Sequence, residues 1–140
     1  MIRMSAENIT TSINSIHPDL KTVMELVYDA CSFDVTDLKL NLESAEYGAC
    51  SFIINGKKIE HRVSKITPTK TGQFVTIWKR NRLGITQPLD SSDDFDCIMI
   101  TSKQGDKVGQ FIFPKSVLVE KGIITLNGKE GKRGIRVYPP

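Results

Sequence analysis

Five cations fall between positions 62 and 80: Arg62, Lys65, Lys70, Lys79 and Arg80, with no acid among them. The same stretch holds the only tryptophan, Trp78. Like charges this close repel, so a fold tolerates them where an anion sits among them or where the side chains splay into water. The chemistry they suit is neutralisation of phosphate. Trp78 beside Lys79 and Arg80 has the make-up of a base-stacking platform. A core tryptophan needs no such partner, and a core position is the expectation. A second basic segment, Lys129 to Arg136, carries four cations and one acid, with Gly131 and Gly134 allowing close backbone approach. Thr67 to Gly72 offers hydroxyls, Lys70 and backbone amides, but it is no Walker motif.

The acids cluster once, at Asp90, Asp93, Asp94 and Asp96. Carboxylates at a strand end can hold Mg²⁺, and Glu43 and Glu46 could join them. A polar connection running into a strand gives the same pattern with no metal, and that is the reading adopted. His61 lies on a mixed strand face, and His17 suits a helix cap. Neither pairs with a serine or cysteine at a spacing that would make a nucleophile and base. Cys31, Cys50 and Cys97 lie far apart with no CxxC pair, which argues against a disulfide framework and a zinc site. All three are expected as buried free thiols.

These residues need elements to position them. Pro18 fits the first position of a helix, with Asp19 in the first turn. Leu20, Val23, Met24, Val27, Ala30 and Cys31 then give one apolar face, so the spacing predicts a helix from Pro18 to Cys31. A shorter helix is expected within Met1 to Ser15. Leu38, Leu40 and Leu42 alternate as in a strand. Tyr47 to Ile54 and Lys57 to Ile66 read as a hairpin closed by Asn55-Gly56, a pair suited to positive φ. Phe74 to Arg80 reads as one strand and Arg82 to Asp94 as a connection. Phe95 to Thr101 reads as a central strand and Gly109 to Phe113 as its neighbour. Pro114 opens a short helix, Lys115 to Lys121, which Gly122 stops. Ile123 to Leu126 is a short strand, and Arg136 to Tyr138 a final edge strand. The sum is α+β, a mostly antiparallel or mixed sheet with two helices.

The chain has 140 residues, 39% hydrophobic and 25% charged, which suits one domain over 1–140. Charge divides unevenly. Met1 to Gly56 holds three cations and eight acids, whereas Lys57 to Pro140 holds sixteen cations and eight acids. The second part is therefore a basic surface, which suggests a polyanionic partner. No apolar run is long enough to span a bilayer and Met1 to Ile9 lacks a signal core, so no membrane partner and a cytoplasmic location are expected.

The string from Arg62 through Gly72-Gln73-Phe74 to Arg80 resembles the signature of the MepB family. Glu43-Ser44-Ala45-Glu46-Tyr47, Gly109-Gln110-Phe111-Ile112-Phe113-Pro114-Lys115 and Gly131-Lys132-Arg133-Gly134-Ile135-Arg136-Val137-Tyr138-Pro139 follow in the family's order. The resemblance implies a bacterial cytoplasmic protein, often encoded near a multidrug-efflux operon, with no established activity. It implies a fold like the restriction-endonuclease core, whose active members hold metal with an Asp and an (Asp/Glu)-x-Lys strand. Here Ile77 stands where the acid would precede Lys79, and no suitably spaced lysine follows Asp94-Phe95-Asp96. Family members continue into a tail rich in Trp and Gln. The chain ends at Pro140, so a truncated or short member with exposed apolar surface is expected.

The expected function is non-enzymatic binding of DNA or RNA through the phosphate backbone, with slight sequence preference and no cofactor or metal. The expected contacts are Arg62, Lys65, Lys70, Lys79, Arg80, Lys115, Lys132, Arg133 and Arg136. One alternative is a divergent Mg²⁺-dependent nuclease using Glu46, Asp94, Asp96 and Lys79. The other is a small-molecule or nucleotide-binding protein, linked to drug efflux, whose pocket uses Arg62, Lys65 and Trp78.

Overall fold

Pro18 starts the first helix among the described residues, as its fixed φ and missing N–H suggest. His17 caps it, the ring Nδ1 accepting from the Asp19 backbone N–H at 3.1 Å. A computed structural model of the chain describes residues 16–41 and 47–140. The short helix expected within Met1 to Ser15, and Leu42, Glu43 and Glu46, lie outside the described residues.

Helix α1 (Pro18–Val23) runs into a π-helical turn, Met24–Tyr28. This corrects the expected regular helix to Cys31. The bonds Asp29 N to Met24 O and Phe33 N to Tyr28 O, both 2.9 Å, each span five residues. A wider turn rotates the inward face by one position. Tyr28 is therefore buried, while Val27, Ala30 and Cys31 are exposed. Of the three thiols expected in the core only Cys50 is buried, and Cys97 is half-buried.

Strands β1 (Val35–Leu40), β2 (Cys50–Ile54), β3 (Lys57–Val63), β8 (Cys97–Gln104) and β9 (Lys107–Pro114) form the main sheet in the order β1-β2-β3-β8-β9. Asn55 and Gly56 turn between β2 and β3 at φ 48° and 81°, as expected of a type I′ turn. The β3–β8 pair is parallel and every other pair in this sheet antiparallel. Between β3 and β8 the chain builds β4 (Lys65–Ile66), β5 (Gln73–Thr76), β6 (Trp78–Arg80) and β7 (Thr86–Pro88).

The expected single strand Phe74 to Arg80 is two strands. Buried Ile77 donates its backbone N–H to Arg133 O at 2.9 Å. That bond sends β5 into a sheet with β4 on one side and β10 (Gly134–Val137) on the other, and β6 into a pair with β7. Strand β7 lies within the segment expected as a bare connection. Helix α2 (Lys115–Glu120) follows β9, and Gly122 ends it at φ 66°. The expected strand Ile123 to Leu126 makes only isolated bridges through Thr125 and Leu126. Strand β10 (Gly134–Val137) lies at a sheet edge, as expected.

Alternation on the main sheet feeds two cores. On one face Ile59, Phe52 and Met99 pack with Leu20, Met24 and Tyr28 of the N-terminal helical segment. On the other, Ile98 and Ile100 pack with Leu118 of α2, Val75 of β5 and Val137 of β10. The architecture is α+β, and no helix among the described residues is long and apolar enough to cross a membrane.

Candidate functional site

The acid loop pairs with Lys79 of the basic segment and with Lys58. Lys79 Nζ meets Asp93 Oδ1 at 2.6 Å, and Asp93 Oδ2 also accepts from the Asp90 backbone N–H. Lys115 Nζ donates to the Ser91 and Asp93 carbonyls at 3.1 and 2.6 Å and lies over the Phe95 ring. Lys58 pairs with Asp94, and Asp96 accepts from the Lys58 backbone N–H at 2.8 Å. Its bond to Lys58 holds the exposed Asp94 carboxyl below the usual range. Asp94, Asp96 and Lys79 thus have structural partners. Among the described residues no three His, Cys, Asp or Glu side chains are placed to hold a metal ion.

The arginines serve the fold more than the surface. Arg62 is only 3% exposed, on the main-sheet face opposite His61. It donates to His61 O at 2.8 Å and reaches Glu60 at 3.4 Å. Burial raises the Glu60 carboxyl above its ordinary range, and Arg62 opposes that shift. Arg62 Nε and Thr76 Oγ1 are buried with no hydrogen-bond partner among the described residues. Arg133 meets Glu130 at 2.7 Å and donates to Thr86 O. Arg136 clamps the loop before β5, donating to Thr71 O, Thr67 Oγ1 and Gly72 O at 3.0, 2.6 and 3.0 Å. Those acceptors are uncharged, so its positive charge is not neutralised by them. Arg80 stacks over Trp78 with its guanidinium carbon 5.0 Å from the ring centre. Trp78 is half-buried under that cation, not the core tryptophan expected. Lys65 lies over Tyr47 at 4.7 Å.

Two adjoining clefts lie around β10, and a third, about 570 Å³ and lined in part by Asp106, shares Phe111 with the larger of them. The larger, about 680 Å³, runs between β9 and β10, with Phe74, Phe111, Phe113 and Tyr138 among its walls and Lys121, Lys132 and Arg136 as its cations. Phe111 and Phe113 stack at 6.0 Å and 15°. The second, about 350 Å³, shares Tyr138 and adds Lys70, Thr71 and Gly72. No acid among the described residues lines either cleft. Of the nine expected contacts, Lys132 and Arg136 line the first cleft and Lys70 the second. Arg62, Lys65, Lys79, Arg80, Lys115 and Arg133 line neither. Sequence reasoning missed Lys121, Phe111, Phe113 and Tyr138. Lys121 follows a helix that packs against β9, so its proximity to Lys132 is a tertiary fact that spacing does not carry. At Gly134 a Cβ would stand 2.6 Å from the tip of the Phe74 ring, so a larger residue there would have to displace that ring.

A family model described as MepB-like matches residues 41–140. The chain belongs to the MepB-like family. A crystal structure of MepB is similar to it, with a TM-score of 0.74 and 31% identity, covering 89% of this chain and 82% of that one. A comparison with curated proteins finds no match. The MepB-like strings map onto the clefts. Gly109 to Lys115 forms the β9 wall and the start of α2, and Gly131 to Pro139 supplies Lys132, β10 and Tyr138.

Proposed function

We propose that this MepB-like protein binds nucleic acid through its sugar-phosphate backbone, with single strands preferred and little sequence discrimination. The supporting observation is the acid-free, aromatic-walled cleft between β9 and β10, with Lys121 and Lys132 at its rim and Lys70 beside it. The side chains of these three lysines have no partner among the described residues. Aromatic walls stack bases without regard to sequence, and mobile cations follow phosphates. Helix α2 is six residues long, too short to read a major groove, and the longer helical segment Pro18–Tyr28 packs Leu20, Val23, Met24 and Tyr28 into the core.

Three phosphates neutralised on a single strand give a slope of log K against log salt of about −2. A salt series with fluorescent oligonucleotides measures it. Lys121→Glu/Lys132→Glu should abolish most binding, and Tyr138→Ala should weaken it by about 1–3 kcal/mol. Absence of binding at low salt, or binding indifferent to salt, refutes the proposal.

The cleft volume favours one second reading. About 680 Å³ falls within the range of small-molecule sites, and a mononucleotide offers one base to stack and phosphate to pair. Affinity independent of oligonucleotide length would select that reading. Nothing in the placement of Asp94, Asp96 and Lys79 favours a Mg²⁺-dependent nuclease.

A further inference from the structure

The hairpin β6–β7 carries two large aliphatic side chains that the fold does not use. Leu83 is 83% exposed and Ile85 58% exposed, at the turn between the strands. The turn needs neither of them. Asn81 Oδ1 accepts from the Leu83 and Ile85 backbone N–H groups at 2.9 and 3.1 Å. Asn81 N donates to Ile85 O, and Gly84 N to Asn81 O. Arg80, stacked on Trp78, donates to Gly84 O at 2.8 Å. The tip is thus a preorganised backbone holding apolar side chains out in water.

Its surroundings indicate what it meets. No acid occurs from Trp78 to Leu89. The charge of Lys79 is taken by Asp93, but Arg82, next to Leu83, is exposed and has no side-chain partner among the described residues. The hairpin is tied to the cleft. Arg133 donates to Thr86 O and accepts from Ile77 N, and its neighbour Lys132 lines the cleft wall. An apolar tip beside cations, tied through Arg133 to the strand that borders an aromatic cleft, suits a polyanion with an apolar interior.

We infer that Leu83 is a wedge that enters nucleic acid where bases are already unstacked, at a bulge, mismatch or strand junction. This rests on the nucleic-acid reading of the cleft. Opening a stacked step costs about as much as burying one leucine returns. The wedge therefore gains little on a perfect duplex and its full burial at a preformed gap. A lipid surface fits less well, because Leu83 and Ile85 together offer fewer carbons than one myristoyl chain, which alone binds marginally.

The test uses the full chain with a perfect duplex, the same duplex carrying a bulge beside 2-aminopurine, and a single strand. The bulged duplex should bind about tenfold tighter than the perfect one, with a change in 2-aminopurine fluorescence. Leu83→Ser should remove both the preference and the signal at an unchanged melting midpoint, and Leu83→Met should retain them. Equal binding of the two duplexes, or a preference untouched by Leu83→Ser, overturns the wedge. Binding that depends on Lys132 without bulge preference leaves the cleft reading standing. No binding of any probe ends both. Leu83-dependent sedimentation with phosphatidylserine vesicles would reassign the tip to a lipid surface.

Discussion

His61 is a neutral imidazole held between Gly48 and Thr101, with Cys50 Sγ 3.6 Å from Nδ1. Gly48 O, which can only accept, lies 3.0 Å from Nδ1, so that nitrogen carries the hydrogen. Nε2 then accepts from the Thr101 hydroxyl at 2.8 Å. Thr101 in turn accepts from Gln110, which accepts from Tyr28. Protonating His61 would set a hydrogen against the Thr101 donor inside the core. Burial pushes its pKa down to about 3 from an ordinary 6.5. The unfolded chain takes up the proton first, so this contribution is whole above 6.5 and is lost as pH falls toward 3. Urea midpoints should decline just below 6.5, before most carboxylates titrate, and His61→Gln should flatten that part of the profile. Alternation in the sequence places His61 between Ile59 and Val63 on one face, but not the distant Thr101 and Gln110 that fix its protonation. The same holds for charge. Five cations without an acid are plain in the chain from Arg62 to Arg80, whereas Asp93, which captures Lys79, arrives through a later loop.

Elements whose ends are set by local chemistry were legible: Pro18, Asn55-Gly56, Pro114 and Gly122 each act within a turn. Elements set by tertiary bonds were not. The break at Ile77 depends on Arg133, and the π-helical turn depends on Tyr28 reaching Gln110 and Met99 across the core. The loop before β5 belongs to this second kind, since Arg136 holds it from β10. A lysine keeps the charge but cannot present the same fork of donors. Arg136→Lys should cost about 1–2 kcal/mol and speed tryptic cutting at Lys70, measured by denaturant unfolding and limited proteolysis. Retention of nucleic-acid affinity in that variant would separate the clamp from the contacts made by Lys121 and Lys132.

For the molecule as a whole, α+β class and the basic second part were readable from pattern and composition, because both are sums over many residues. The sharing of strands between two cores was not, because it depends on the parallel β3–β8 pair. That pair makes the cores one cooperative unit: Ile59 and Met99 face one, Ile98 and Ile100 the other. Phe52→Ala and Leu118→Ala should each cost about 2–5 kcal/mol. Far-ultraviolet circular dichroism and Trp78 fluorescence should still give coincident unfolding curves for both variants. The same pairing has an effect during synthesis. Strand β3 emerges from the ribosome ahead of β8, so the nascent β3 is an open edge until residues 64–104 have followed it out. Unpaired edges recruit foreign strands, and charged side chains on the face due to be covered discourage that. Lys58, Glu60 and Arg62 stand along that edge. A burial that is costly in the finished protein thus guards the half-made sheet until its own partner strand arrives.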